Sequence, residues 1–86
     1  MLDIRHLKTL TALRDSGSMV EAARRLYLTQ SALSHQLKDL EEKLGTSLFE
    51  RKSRPVRFTR AGLEVLQLAD RVLPLVNQTE RTLKKI

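Results

Sequence analysis

Apolar residues recur with the period of an α-helix over the first half of the chain, and short polar segments separate the runs. Apolar residues at every third position from Ile4 to Leu13 predict a first helix that extends from Asp3 to Asp15. The segment DSGS ends this helix, since Gly17 readily takes the left-handed conformation found after helix C-termini. The chain is therefore expected to begin with a helix followed by a tight turn.

A second, shorter helix is predicted to begin at Ser18 and to end near Tyr27. Ser18 and Glu21 form an S-x-x-E capping box, in which the hydroxyl accepts from the backbone N–H three residues on and the Glu side chain reaches back. We expect the buried side of this helix to carry Val20, Ala23 and Leu26.

A third helix is predicted between an N-cap at Thr29 and a closing residue at Gly45, after a connection of about three residues. At 100° per residue, its leucines fall within about 40° of Leu33 and form one narrow apolar stripe. These leucines are Leu33, Leu37, Leu40 and Leu44. The face turned away from the stripe is unusual, because it begins with small neutral hydrogen-bonding side chains instead of the Lys and Glu of ordinary solvated faces.

A short β-hairpin is predicted between Leu48 and Phe58. The strand-forming residues Leu48, Phe49, Val56 and Phe58 flank the polar turn KSR and Pro55. Because two strands alone are only marginally stable, we expect this hairpin to pack against the helices.

The last predicted helix extends from an N-cap at Thr59 to Ile86, and its apolar positions alternate four and three residues apart. This heptad spacing is typical of a helix that pairs with another helix. The stripe could instead pack on the chain's own core, but a three-helix body this small cannot cover about 30 Å of helix. We therefore expect a homodimer. The candidate dimerisation residues are Val65, Ala69, Val72, Val76 and Leu83.

Together these elements predict an all-α fold with a small β-hairpin wing. Residues 1–59 would form a winged helix-turn-helix domain, and residues 60–86 would form a long C-terminal linker helix for dimerisation. Pro74 lies inside the linker helix, where it removes a backbone hydrogen bond, so we expect a kink or a break there.

Charge narrows the choice of partner. The chain carries 16 Lys and Arg against 10 Asp and Glu, a formal net charge of +6, which favours a polyanion. The segment RKSRPVRFTR, residues 51–60, is rich in Arg and contains no acid, although on charge alone it could be a solvated loop. Three aromatic residues are too few for a base-stacking platform, which argues against single-stranded nucleic acid.

Several classes of protein are excluded. No cysteine is present to form disulfides, the first residues lack the apolar region of a signal peptide, and no run is long enough to cross a membrane. No spacing of His, Asp and Glu suggests a metal site. His35 and Ser34 are not a catalytic pair, because adjacent helix residues point about 100° apart. His6 is expected to be a surface or hydrogen-bonded structural histidine.

Two short helices joined by a tight turn, the second with a polar outward face, make a helix-turn-helix. Contact with DNA would explain why that face carries small neutral polar side chains. Base edges in the major groove of DNA present hydrogen-bond donors, acceptors and thymine methyl groups. Gln30 can form two hydrogen bonds with adenine, and the Ala32 methyl can touch thymine. The candidates for base contact are Thr29, Gln30, Ser31, Ala32, Ser34, His35 and Lys38.

The basic hairpin would bind the phosphate backbone, which supplies salt-sensitive affinity without sequence information. Arg54, at the tip, could also enter a narrow minor groove. The candidates for backbone and wing contacts are Ser18, Arg51, Lys52, Arg54, Arg57 and Thr59. Ser18 and Thr59 also serve as helix caps, and both roles stay open. Tyr27 is expected to pack at the edge of the turn, with a phosphate contact as the alternative.

At these residues the chain resembles the N-terminal domain of LysR-type bacterial transcriptional regulators. The resemblance rests on RHLKTLTAL, GSMVEAARRLYLTQSALSHQLKDLEEKLGTSLFER and RPVRFTRAG, and it covers nearly the whole chain. It implies a winged helix-turn-helix that binds an inverted-repeat operator, with linker helices paired antiparallel in a dimer and two dimers commonly in a tetramer. It also implies base contacts at Thr29, Gln30, Ser31, Ser34 and His35, and a wing position at Arg54.

Within the family, the segments HLKTL, TQSALSHQ, RKS, RFT, LQLA and VLP most resemble the regulators of methionine biosynthesis. That likeness implies an operator of the TGAA…TTCA kind and a small-molecule co-inducer, homocysteine, bound by an effector domain that this fragment lacks. It also implies action in the bacterial cytoplasm, at the nucleoid. Most family members carry Arg where this chain has His35, which puts the usual contact between Arg and guanine in doubt.

A rival hypothesis makes the chain a basic helical module for protein interactions that uses the amphipathic helix 60–86. The helix after Thr29 argues against it, because a protein-binding face should carry large apolar anchors. Structured RNA is disfavoured as well, since the deep A-form groove does not admit such a helix.

Overall fold

Four helices and one two-stranded hairpin account for most of the chain, and the computed structural model describes residues 1–86 throughout. The helices are α1 (Ile4–Ser16), α2 (Met19–Arg25), α3 (Gln30–Leu44) and α4 (Arg60–Lys84). The strands β1 (Phe49–Glu50) and β2 (Arg57–Phe58) lie between α3 and α4. The predicted mostly helical fold with a small hairpin wing is confirmed.

The predicted N-caps and closing glycines are confirmed, although α2 and α4 each end two residues before the predicted positions Tyr27 and Ile86. The hydroxyl oxygens of Ser18, Thr29 and Thr59 each accept a hydrogen bond from a backbone N–H in the first turn of the helix that follows, at 3.0–3.1 Å. Gly17 and Gly45 close α1 and α3 with φ angles of 74° and 73°. These are left-handed conformations, in which a Cβ would be strained.

The reciprocal capping box lies at α1 and not at α2. Asp3 accepts from the backbone N–H of His6, and the Asp3 N–H donates to Nδ1 of His6 at 3.0 Å. The second half of the box predicted at Ser18 is wrong, because the Glu21 carboxylate pairs with Arg24 instead. His6 is thus the hydrogen-bonded structural histidine that was expected.

The core lies between the four helices and the hairpin. α1 and α3 contribute leucines that are almost fully buried, and the start of α4 covers them. The largest fully buried side chains are Leu10, Leu13, Leu33, Leu37, Leu40 and Leu48. Three of the four leucines in the predicted stripe of α3 are therefore core residues, and Leu44 is half-buried at its end.

α2 buries a different side from the one predicted. Val20 is 59% exposed, so its predicted burial is wrong, whereas Ala23 is buried and Leu26 is partly buried. Met19 and Ala22, and not Val20, pack against the core on this side of α2. At 100° per residue, Val20 lies about 110° from the centre of the stripe that these four residues form, which explains its exposure.

The hairpin is antiparallel, with Phe49 opposite Phe58, and it packs on the helices as expected. Leu48 and Phe49 are 0% and 2% exposed. α4 passes so close to the strand that a Cβ at Gly62 would overlap the Leu48 carbonyl oxygen. Only glycine permits this approach of the helix to the hairpin.

The first half of the heptad seam is covered by the chain itself. Val65 and Ala69 are 8% and 0% exposed, so the prediction that they contact a second chain is wrong. They belong to the core beneath α1. At the surface, Arg14 of α1 also pairs with Asp70 of α4 at 2.9 Å. α4 continues through Pro74 without a break. The predicted kink stays a prediction.

Candidate nucleic-acid interface

The N-terminal half of α3 presents one continuous polar surface. Five side chains line a shallow concavity that contains no apolar residue. They are Gln30, Ser31, Ser34, His35 and Lys38. The structure thus brings together most of the residues predicted for base contact. Thr29 is exposed beside them, and Ala32 is half-buried and bonds the Thr29 hydroxyl through its N–H.

A second groove of about 600 Å³ separates the start of α2 and α3 from the wing. Gln30 lines both this groove and the concavity on α3, so the two surfaces are continuous. The other lining residues are Gly17, Ser18, Met19, Val20, Arg51, Lys52, Ser53, Arg54 and Val56. The helix surface and the basic wing therefore form adjacent parts of one interface.

The exposed basic residues of this interface differ in whether they form an ion pair with another residue of the protein. Lys38, Lys52, Arg54 and Arg57 are exposed and form no ion pair with the protein, which leaves their charges free for a polyanion. Arg51 differs, because its Nη2 lies 2.7 Å from a carboxylate oxygen of Glu41. The wing therefore offers three free cations rather than the four that its sequence suggests.

The two predicted caps also differ as ligands. Ser18 lines the groove, and its Oγ accepts from the Glu21 N–H and donates to no protein group, so its hydroxyl can still donate to a ligand. Thr59 Oγ donates its only proton to the Ser47 carbonyl at 2.6 Å. Thr59 is therefore a structural cap, and of the two only Ser18 stays a candidate for a phosphate contact.

The base of the wing is bonded at both ends. The Val56 N–H donates to the Gly17 carbonyl at 3.1 Å, which attaches the returning strand to the turn before α2. At the other end, the Leu48 N–H donates to the Glu41 carboxylate at 2.7 Å. Within the turn, Ser53 Oγ donates to the Glu50 carbonyl at 3.2 Å. These bonds fix where the wing stands relative to the helices.

The hydrogen bonds to the Glu41 carboxylate favour its ionised form. Partial burial disfavours its charged form, but hydrogen bonds from Arg51, the Leu48 N–H and Ser47 outweigh that cost. They hold the pKa of the Glu41 carboxyl below its ordinary value.

Three functional features were missed in the sequence. Val20 lines the groove, and the helical angles of Met19, Ala22 and Leu26 would have revealed its exposure. Glu41 was not singled out in the sequence, because no local pattern marks its bond to Arg51. Tyr27 was expected to pack, but it is 96% exposed and has a φ of 57°.

Other kinds of site find no support in the structure. No group of three or more His, Cys, Asp or Glu side chains could hold a metal ion. None of the four helices combines the length and the apolar character that a bilayer crossing requires.

The sequence matches the family described as bacterial regulatory helix-turn-helix protein, lysR family, over residues 4–63. The chain belongs to this family. The matched range contains the whole polar surface of α3, the wing and the first turn of α4. Membership identifies the chain as a helix-turn-helix domain of a family of bacterial regulatory proteins.

The chain is similar to transcriptional regulators of other bacteria, some of which share more than half of their aligned residues with it. The HTH-type transcriptional regulator MetR of Haemophilus influenzae is 56% identical over 85 residues, which are 99% of this chain and 28% of that protein. MetR of Escherichia coli K12 is 58% identical over 78 residues, which are 91% of this chain and 25% of that protein. The chain thus spans about a quarter of the length of these relatives.

A solved lysR-family structure has the same fold over nearly its full length. It is the DNA-binding domain of BenM in complex with catB site 1 DNA, with a TM-score of 0.89 and 39% identity. The match covers 99% of this chain and 94% of that chain. The winged helix-turn-helix with its long last helix is therefore an architecture that one family member uses on DNA.

Proposed function

We propose that this chain binds double-stranded operator DNA in a sequence-specific manner, as the DNA-binding domain of a regulator of methionine biosynthesis genes. One observation carries the proposal. The exposed polar surface on α3 adjoins a wing whose Lys52 and Arg54 have no ion-pair partner. Such a surface offers hydrogen-bonding groups for base edges beside free cations for phosphates.

The α3 surface supplies the base contacts in this proposal. An α-helix fits the major groove, and Gln30, Ser31, Ser34 and His35 can donate and accept hydrogen bonds there. Lys38 follows one turn later on the same surface. Thr29 and Ala32 stand beside these residues, where a methyl group can contact thymine.

The wing and Ser18 supply the backbone contacts. Lys52, Arg54 and Arg57 would neutralise phosphates, which makes affinity fall as salt rises. Ser18 keeps a free hydroxyl proton in the groove, and a phosphate oxygen can accept it. Arg54, at the tip, is also the residue that can enter a narrow minor groove.

A second copy of the chain would complete the site by pairing along α4. Five exposed or half-buried apolar residues of α4 fall within about 100° of one another and form one stripe. They are Leu68, Val72, Leu75, Val76 and Leu83. Two-fold pairing would place two recognition helices on an inverted repeat such as TGAA…TTCA. In this division, residues 1–59 bind DNA and residues 60–86 join the two copies.

The identity to MetR of two bacteria supports the methionine assignment. We extend the assignment to the co-inducer, for which we propose homocysteine. An effector domain in the longer protein would bind it. The protein would then act in the cytoplasm at the nucleoid, where its operators lie.

The proposal is tested by fluorescence-anisotropy titration of the chain onto a TGAA…TTCA duplex and a scrambled duplex at two salt concentrations. We expect tight binding that prefers the operator, with two chains per duplex. Equal and strongly salt-dependent binding to both duplexes would exclude the methionine operator while leaving a winged DNA-binding domain. An absence of binding to either duplex would favour a protein-interaction module.

A further inference from the structure

One carboxylate of the recognition helix α3 bonds both sides of the first strand of the wing. Glu41 Oε1 lies 2.7 Å from Arg51 Nη2. Its other oxygen accepts from the Leu48 N–H at 2.7 Å and from Ser47 Oγ at 3.2 Å. The Glu41 side chain is only 11% exposed, so these bonds form in a largely desolvated place where they are stronger than on an open surface.

Arg51 is held from a second direction by Phe49. Its guanidinium lies 4.7 Å from the centroid of the Phe49 ring, within the range of a cation–π contact. Phe49 is 2% exposed and pairs with Phe58 across the hairpin, so the ring is fixed in the core. Arg51 directly follows β1, and these contacts therefore set the direction in which the turn leaves the strand.

The charge of Arg51 is already balanced, whereas its neighbours in the turn are free. Lys52 and Arg54 have no ion pair and are exposed. A protein cation contributes to salt-dependent binding by neutralising a phosphate and releasing its counterions. A phosphate at Arg51 would therefore compete with the Glu41 carboxylate for the same positive charge, and removing Arg51 from that largely buried carboxylate would be costly.

We infer that Arg51 is a positioning residue and not a phosphate ligand. With Glu41 it fixes the wing against the recognition helix, so that Lys52 and Arg54 meet the DNA backbone only when α3 sits in its register on the bases. The inference rests on the proposed function, which it deepens by coupling backbone binding to base recognition. The bond from Val56 to the Gly17 carbonyl supports the other end of the wing.

Two matched alanine variants separate the roles. We expect Arg54→Ala to weaken binding to operator and scrambled duplexes alike and to lower the slope of log affinity against log salt by about 0.9 for each chain bound. We expect Arg51→Ala to keep the wild-type slope but to lower the preference for the operator about tenfold, because a misplaced wing opposes the correct register.

Conservative substitutions test whether operator preference can be recovered and whether Arg51 and Glu41 act together. Arg51→Lys can still reach Glu41 but loses the planar stacked guanidinium, so we expect it to recover part of the preference at an unchanged slope. Glu41→Gln should lower the preference as Arg51→Ala does. The variant that carries both Arg51→Ala and Glu41→Gln should prefer the operator no less than either single variant does, because both substitutions remove the same support of the wing.

Hydrogen exchange of the free protein gives a readout that needs no DNA. Glu41→Gln should speed exchange at the Leu48 amide and in the turn, while the amides of α1 stay protected as in the wild type. If Arg51→Ala does not fold, Arg51→Lys and Glu41→Gln decide the matter. Unchanged exchange in the wing of Glu41→Gln would overturn the positioning role.

The titrations separate a wrong inference from a wrong function. If Arg51→Ala lowers the salt slope as much as Arg54→Ala and leaves the operator preference intact, Arg51 is a phosphate ligand and the inference fails alone. If the wild type shows no operator preference, the proposed function fails first. The coupling to base recognition then fails with it.

Discussion

Gly62 lies against the carbonyl oxygen of Leu48, so the linker helix and the base of the wing meet backbone to backbone at this point. The Phe58 ring packs on the same spot. This contact continues through Thr59, which caps α4 and donates to the Ser47 carbonyl. The base of the wing and the start of the linker helix therefore form one rigid junction.

Gly62→Ala should destabilise the fold, although alanine is the better helix former. Its Cβ would overlap the Leu48 carbonyl and force the helix and hairpin apart, and such overpacking costs about 1–3 kcal/mol of unfolding free energy. Urea denaturation measures the loss. Glu64→Ala, an exposed position on the same helix, is the control and should change stability by less than about 0.5 kcal/mol. Equal stability of Gly62→Ala and the wild type would disprove the tight contact.

Val20→Glu should weaken DNA binding without weakening the fold. Val20 is 59% exposed and lines the groove beside the wing, so a carboxylate there would repel phosphate. Leu63→Glu introduces the same charge at a side chain that is 56% exposed and lies outside the groove. We expect a larger loss of affinity for Val20→Glu than for Leu63→Glu in anisotropy titrations. Equal losses would mean that Val20 does not face DNA.

Leu75→Glu should separate the proposed dimer. Leu75 is 63% exposed in this chain, so the substitution costs the monomer little, but it would bury a charge in a paired stripe. Sedimentation equilibrium should show a dissociation constant at least about tenfold higher than that of the wild type. Leu63→Glu, on another side of α4, should leave the dimer intact. A dimer that tolerates Leu75→Glu but not Leu63→Glu would place the interface elsewhere.

Stability should depend on pH through Glu41. Its pKa lies below the ordinary value of 4.5, so the ionised form stabilises the fold above that pH. The contribution is lost as the pH falls through the lower pKa of the folded state. The unfolding free energies of wild type and Glu41→Gln should therefore differ at pH 7 and begin to converge as the pH falls below about 4.5. A difference that stays constant down to pH 3 would contradict the role of the ionised carboxylate.

Local signals in the sequence were sufficient for the elements and for the polar surface of α3. Capping hydroxyls such as Thr29, closing glycines such as Gly45 and the leucine stripe act within a few residues, so each can be recognised from its neighbours. The clustering of Gln30, Ser34 and His35 follows from the helical period alone.

Tertiary contacts decided the rest. Val65 and Ala69 fit a heptad as well as a core, and only the packing of α1 against α4 assigns them to the core. The bond between Glu41 and Arg51 joins residues on different elements, and their spacing carries no pattern. This bond could therefore be found only in the structure. The same is true of the bond from Thr59 to the Ser47 carbonyl, which removes Thr59 from the candidates for DNA contact.

The central claim is that the polar surface of α3 recognises base edges. The most direct test is the ratio of dissociation constants for scrambled and TGAA…TTCA duplexes, measured for the wild type, Ser34→Ala and His35→Ala at one salt concentration. Each lost base contact should lower the ratio about tenfold while binding to the scrambled duplex changes little. A ratio that is unchanged in both variants would contradict base recognition by this surface.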